Sequence, residues 1–326
     1  MKALIKSFFT VLPILLLSSV ACQRSPQYRK EEDTDKNGSA SGYYTPKSSG
    51  SVLDRATILN QLKKRVMVLS FWNDTPATQG PFGNYAADEL RRNLAETQKV
   101  IIPNDIKTEL GTENFVQGDK IRVAQLLREG RRLGVSVLII GKISRIVFRQ
   151  NGDEVGLFRQ RRSLAAVQLE AKLFDVQGGR EIMAVARPGE ANTSSLAALE
   201  GNNDLESQEF RIELTQNAIK MAAANLVPDV LRAVDKINWQ GRIAKTAGSD
   251  IYVSAGRSSG LIAGDILRVM NPGDDIYDPV NGAYLGRSRG QLKGTVEVVD
   301  FIGPDGAKAV LHTGGNVKEG DLVELY

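Results

Sequence analysis

The sequence predicts an α/β domain, a mixed sheet packed with helices, followed by a small all-β, barrel-like domain. Two observations carry this. Up to about residue 236, short apolar runs alternate with segments whose apolar residues recur at helical spacing. From about 238 onward the chain is Gly-rich and strand-like and loses the helical period. A weak internal repeat marks the second region: Gly260-Leu261-Ile262-Ala263-Gly264-Asp265-Ile266-Leu267 against Asn316-Val317-Lys318-Glu319-Gly320-Asp321-Leu322-Val323. Each copy sets a Gly-Asp turn before an apolar strand start, where Gly supplies φ > 0 and Asp can bond local backbone. Short strands with frequent turns point to a closed barrel or a sandwich.

The elements follow in order. Lys2 and Lys6 precede an apolar run from Phe8 to Val20, and small residues lead to Cys22, the single cysteine of the 326-residue chain. The run is shorter than the roughly 20 apolar residues of a membrane span, so residues 1–21 read as a cleaved export signal. Ser19-Val20-Ala21-Cys22 resembles a bacterial lipoprotein cleavage box, which implies acylation of Cys22 and a mature chain of about 305 residues, enough for two domains. Gln23, not Asp, follows the cysteine, which by lipoprotein sorting implies outer-membrane placement. Residues 22–51 are polar and almost free of aliphatics, a tether that cannot offset its ordering entropy by burial.

The α/β unit is expected over 52–236. Leu53, Ala56, Leu59 and Leu62 fall at helical spacing, and Arg65–Phe71 is a buried strand. Asn73–Gly83 is a loop, and Ala86, Leu90 and Leu94 define a second helix. Lys99–Ile102 is a strand and 104–119 a loop. Ile121, Ala124, Leu127 and Arg131 trace a third helix stopped by Gly134. Ser136–Gln150 runs into the hairpin signal Asn151-Gly152, returns over Val155–Val176, and turns at Gln177-Gly178-Gly179 into a third strand ending at Arg187. Residues 188–204 are polar and read as loop. Ile212, Ile219, Ala223, Leu226, Val230 and Val234 mark a long helix that Pro228 should kink or split. The β unit is expected over 238–326.

Composition excludes several chemistries. His312 is the only histidine, and it lies in the strand-like KAVLH, where a core or edge role is expected. With one histidine and no free thiol, zinc sites and Cys-His triads are excluded, and neither a nucleophile elbow nor a phosphate loop occurs. Asp274-Asp275 lies in a Pro/Gly turn and reads as a solvated pair. Once the leader lysines are removed, 40 basic residues face 38 acidic ones, so nothing marks a nucleic-acid binder. No enzyme and no cofactor are expected. Arg145, Arg149, Arg159, Arg161 and Arg162 crowd the hairpin at Asn151-Gly152. They form either a contact surface for an acidic partner or anionic envelope polymer, or a solvated ribbon with a blunted edge.

VMVLSFWND (66–74), LGVSVLIIGKI (133–143), VQLEAKLFDVQGGREI (167–182) and the long final helix together resemble the CsgG family over about 66–235. Its members are outer-membrane lipoproteins of curli secretion, with an α/β periplasmic fold related to the N-terminal domain of TolB. NWQGRIAK (238–245), DIYVSAG (250–256) and GLIAGDILRV (260–269) look like the C-terminal domain of the flagellar H-ring protein FlgT. The resemblance implies a lipid anchor at Cys22 in the outer membrane, a periplasm-facing body, self-association and envelope-protein partners. It does not extend to the curli pore. The arginines of IVFRQNGDEVGLFRQRRS (146–163) interrupt both faces of the first candidate membrane hairpin, and 188–210 lacks alternation. A scaffold in an envelope machine such as a flagellar ring is the leading expectation. A curli-type channel and a binding module regulating cell-wall synthesis are the alternatives.

Overall fold

The RVMV run of β1 (Lys64–Val68) is apolar on both sides because it is covered on both sides. Val66 and Val68 enter one core, and Met67 the other. In this computed structural model, which describes residues 62–76, 80–103, 111–117, 120–152, 161–194 and 207–326, the chain leaves β1 through β2 (Trp72–Asn73) into helix α1 (Phe82–Glu96) and β3 (Val100–Ile101). It continues through a single 3₁₀ turn, the minimal strands β4 (Val116–Gln117) and β5 (Lys120–Ile121), and helix α2 (Val123–Leu133). Three long strands follow, β6 (Val137–Gly152), β7 (Arg161–Asp175) and β8 (Arg180–Ser194), then helix α3 (Gln208–Asp235). The leader, Cys22, the tether and all of the first expected helix except Leu62 lie outside the described residues.

The sheet order is β3-β1-β6-β7-β8, with β2 alongside β6. β3, β1 and β2 run parallel to β6, β7 pairs with β6 antiparallel, and β8 pairs antiparallel with β7. Helices α1 and α3 cover one face, where Ala86, Leu90 and Leu94 meet Ala218, Ala222 and Leu226 over Val137, Ile139 and Leu169. On the other face α2 places Leu126 and Leu127 against Leu138, Ile140 and Phe174. Each such fully buried aliphatic contributes about 1.5–3 kcal/mol. Gly134 ends α2 in the left-handed region, at φ +68°, as its position in the sequence predicts. Ser207 caps α3 by accepting a bond from the Phe210 amide at 3.1 Å.

Several expectations need correction. The two-residue turn expected at Asn151-Gly152 is not there, because both residues pair within the β6–β7 ladder, opposite Arg162 and Arg161. The loop expected over 104–119 holds structure in its described part: the 3₁₀ turn buries Phe115. The loop expected from 188 begins as strand, because β8 continues through Pro188 and Gly189 to Ser194. Pro188 is tolerated since β8 is an edge strand, and its carbonyl accepts from Asn225 Nδ2 at 2.9 Å. Of the two outcomes expected at Pro228, the split does not occur: α3 runs unbroken for 28 residues. Pro228 lies on the exposed side, where water can satisfy the carbonyl that its missing N–H leaves free.

The second region closes on itself. β9 (Gly241–Ala247), β10 (Asp250–Val253), β11 (Ile266–Met270), β14 (Leu292–Ile302), β15 (Gly306–Gly314) and β16 (Leu322–Leu325) form a barrel in the order β10-β15-β14-β11-β16-β9. Every pairing is antiparallel. Between β11 and β14 stands a side hairpin, β12 (Asp275–Tyr277) and β13 (Tyr284–Arg287). The barrel core of Ile243, Leu267, Val296, Ala309 and Val323 also takes in Leu62 and Trp239. No helix among the described residues is long and apolar enough to cross a membrane.

The repeat seen in the sequence is a repeat in bonding. Gly264 and Gly320 both have positive φ, +93° and +87°. Asp265 accepts from the Ile262 amide at 2.8 Å, and Asp321 from the Lys318 amide at 2.7 Å. Gly264→Val and Gly320→Val should each cost on the order of 1–3 kcal/mol. Asp321→Ala should cost more than Asp265→Ala. Asp321 is 3% exposed and also holds the Lys293 ammonium at 2.7 Å, which would be stranded. Urea unfolding midpoints check this order, and unchanged midpoints for the glycine variants would contradict it.

Candidate interaction face

Successive side chains of a strand point to opposite faces, so pairing register says what each face displays. β2 pairs β6 only at Lys142 and Ile143. Beyond that point the sheet is a three-stranded ribbon of β6, β7 and β8. A bulge between Ile143 and Arg145 resets the alternation of β6.

One ribbon face lies under α3. Ile146 and Phe148 join Ala165 and Val167 in the core, and Phe148 meets Phe210 edge to face with ring centroids 6.4 Å apart. Gly189 permits this approach, since a Cβ there would stand 2.2 Å from the Ala218 carbonyl oxygen and 2.3 Å from the Ala222 nitrogen.

No described helix covers the opposite face. Its rows across the three strands are Lys142, Glu170, Ala186; Arg145, Gln168, Pro188; Val147, Ala166, Glu190; and Arg149, Leu164, Asn192. Arg145, Arg149, Glu190 and Asn192 are exposed, while Val147, Leu164 and Ala166 are half-buried. A shallow groove of about 200 Å³ runs past Arg145, Val147, Arg149, Leu164, Ala166 and Glu190. Lys142 is held loosely between Asp74 at 3.5 Å and Glu170 at 3.6 Å. Arg145 and Arg149 make no ion pair among the described residues. An apolar strip flanked by free guanidinium groups suits a protein surface that brings carboxylates.

Of the five arginines singled out in the sequence, Arg145 and Arg149 come together here, one row either side of Val147. Arg159 lies outside the described residues. Arg161 and Arg162 continue β7 opposite Gly152 and Asn151, with only their backbone positions described. Glu190 was missed because its segment reads as loop. The only signal in its favour is Gly189, whose partners on α3 are remote in sequence.

A second concavity, of about 370 Å³, is lined by Trp72, Val116, Ile121, Ile140, Lys142 and Lys172. It lies by the carboxyl end of β1, where the crossovers through α1 and α2 diverge, the usual ligand position in such sheets. Three observations bear on the remaining titratable residues. His312 is exposed on β15, its Nδ1 3.4 Å from Thr295 Oγ1. Asp274 is exposed as expected, but Asp275 is not a solvated turn residue. It pairs with Arg131 of α2 at 2.7 Å, with side-chain exposures of 20% and 14%. Around that pair, Arg242 donates to the Arg131 carbonyl at 2.7 Å and Arg287 to Gln177 Oε1 at 3.1 Å. Burial raises the Tyr284 phenol above its usual range and lowers the Arg287 guanidinium. The cluster fastens the β12–β13 hairpin to the α/β region, and its partners lie 144 residues apart, beyond the reach of local pattern.

No family model matches the chain, and no curated protein sequence matches it. Solved structures similar to it include the PelC dodecamer from Paraburkholderia phytofirmans, at 17% identity over 51% of this chain and 86% of that one, with a TM-score of 0.29. Lipoprotein GNA1162 from Neisseria meningitidis superposes at 15% identity over 53% and 99%, with a TM-score of 0.26. The hypothetical protein CT253 from Chlamydia trachomatis does so at 13% identity over 53% and 96%, with a TM-score of 0.34. Likeness at these scores decides nothing about activity, which has to be read from this chain's own residues.

Proposed function

We propose that this chain is a lipid-anchored, periplasm-facing scaffold lipoprotein of the CsgG type, an oligomeric component of an outer-membrane-associated machine such as a flagellar ring, and not an enzyme. The observation that carries this reading is the ribbon face that no described helix covers, with Arg145 and Arg149 unpaired among the described residues. It is a surface built for another protein. The leader ending at Cys22 and the tether to about residue 51 supply the anchor and the reach, with working bodies at 52–236 and 238–326. Lipid partners are those of the acyl chains on Cys22, each buried CH₂ worth about 0.8 kcal/mol.

Cells producing the protein should incorporate labelled palmitate into it, and Cys22→Ala should abolish the label. Equal labelling of the variant would remove the anchor. The ring reading predicts that a deletion strain loses periplasmic ring density from its basal bodies and loses motility. Intact rings and normal motility would refute it.

A curli-type channel has one observation in its favour. The ribbon strands have 15 or 16 residues, more than the roughly 9–11 a membrane strand needs. Against it, one ribbon face packs on α3 and the other carries Arg145, Arg149 and Glu190, so neither offers lipid an apolar surface. The channel predicts unitary conductance in planar bilayers and loss of extracellular amyloid with motility intact.

A further inference from the structure

The charge pattern of the open ribbon face is self-complementary in one orientation. β6 carries Arg145 and Arg149 in alternate rows, and β8 carries Glu190 in the row between them, with Ala166 of β7 in the middle. Two copies can be laid face to face about a two-fold axis in either of two simple ways. An axis perpendicular to the strands sets β6 on β6, so arginine meets arginine. An axis parallel to the strands sets β6 on β8 and keeps the rows level. Glu190 of each copy then falls between Arg145 and Arg149 of the other, above Val147, while Leu164 and Ala166 meet their own counterparts.

We propose that this face binds a second copy of the chain in the second orientation, as an isologous sheet-on-sheet contact. The contact rests on the scaffold reading above and pairs its protomers two by two, a contact that closes as a dimer and leaves the growth of any ring to other surfaces. Sheets packed this way sit about 10 Å apart with strands within about 30° of each other. The half-buried Val147, Leu164 and Ala166 supply the apolar centre. The two Arg-Glu-Arg groups at the rims set orientation, since a wrong rotation leaves like charges opposed. The three charged residues are exposed and absent from the core, so changing them leaves the protomer fold intact.

The test is charge exchange in the full chain, purified in mild detergent and followed by sedimentation. Arg145→Glu with Arg149→Glu should weaken self-association by about tenfold or more, in a salt-dependent way, and Glu190→Arg alone should weaken it too. The triple variant carrying all three changes should associate with itself again yet fail to mix with wild type, because every mixed contact sets like charges together. A triple variant that stays dissociated, or an assembly indifferent to the double change, overturns this contact while leaving the scaffold reading standing. A wild-type chain that is monomeric throughout would remove both.

Discussion

Gly189→Ala is expected to lower the thermal unfolding midpoint by about 6–12 °C, a cost of about 3 kcal/mol in a body of this size. The methyl group itself is the problem, not a longer side chain. It would sit 2.2 Å from the Ala218 carbonyl oxygen and 2.3 Å from the Ala222 nitrogen. Both are backbone atoms of α3 and cannot rotate away. Either β8 shifts outward or α3 lifts, and Ile219, Ala222 and Leu226, all fully buried, lose their fit. Gly315→Ala is the control, because a Cβ there meets nothing within 4 Å and its φ is not positive. Equal midpoints for the two variants would show that α3 and β8 are not in the contact described. The same change displaces Glu190, the next residue, so the variant should also lose self-association under conditions where the protomer is still folded.

How far the sequence foretells such contacts depends on whether the deciding neighbour is close along the chain. Val137–Gly141, buried from both sides, reads as a strand because five consecutive small or apolar residues fit nothing else of that length. Gly134 reads as a helix stop, and the two Gly-Asp turns as equivalents, because positive φ and an Asp bond three residues away are local chemistry. The stretch 188–194 reads as loop and is strand. Its composition is polar, and what orders it is the small-residue stripe of α3, some thirty residues on. Pro228 is a break point in local terms, and the burial of Leu226 and Val230 on either side keeps the helix from splitting there. The candidate face divides in the same way. Arg145 and Arg149 are conspicuous as residue types, and their spacing of four puts them on one face by alternation alone; that this is the open face and not the one under α3 depends on the bulge between Ile143 and Arg145, which nothing in the local pattern announces.

Asp275→Ala should destabilise the protein by about 3 kcal/mol, among the largest effects of any substitution outside the cores. Removing one member of a buried pair costs about 3–5 kcal/mol, and the residual exposure of Arg131 and Asp275, 14% and 20%, argues for the lower end. Arg131 would keep its charge with no carboxylate in reach, and its carbonyl would still be engaged by Arg242 from the barrel. The penalty is therefore that of a stranded cation and not of a lost contact. Replacing both partners, Arg131→Leu with Asp275→Leu, should recover part of the stability: the desolvation cost of those two ions disappears with them, but Arg287, 4.0 Å from Asp275, also loses its carboxylate. Hydrogen exchange localises the effect: in Asp275→Ala, β12, β13 and the last turn of α2 should open, while the closed barrel, whose ladder does not include that hairpin, stays protected. A single variant within about 0.5 kcal/mol of wild type would mean that the cluster is a solvated surface pair after all. Because the ribbon rows lie on β6, β7 and β8 and not at this junction, Asp275→Ala should leave self-association intact. That separates a loosened body from a broken assembly face, and makes it the converse of Gly189→Ala, which is expected to damage both.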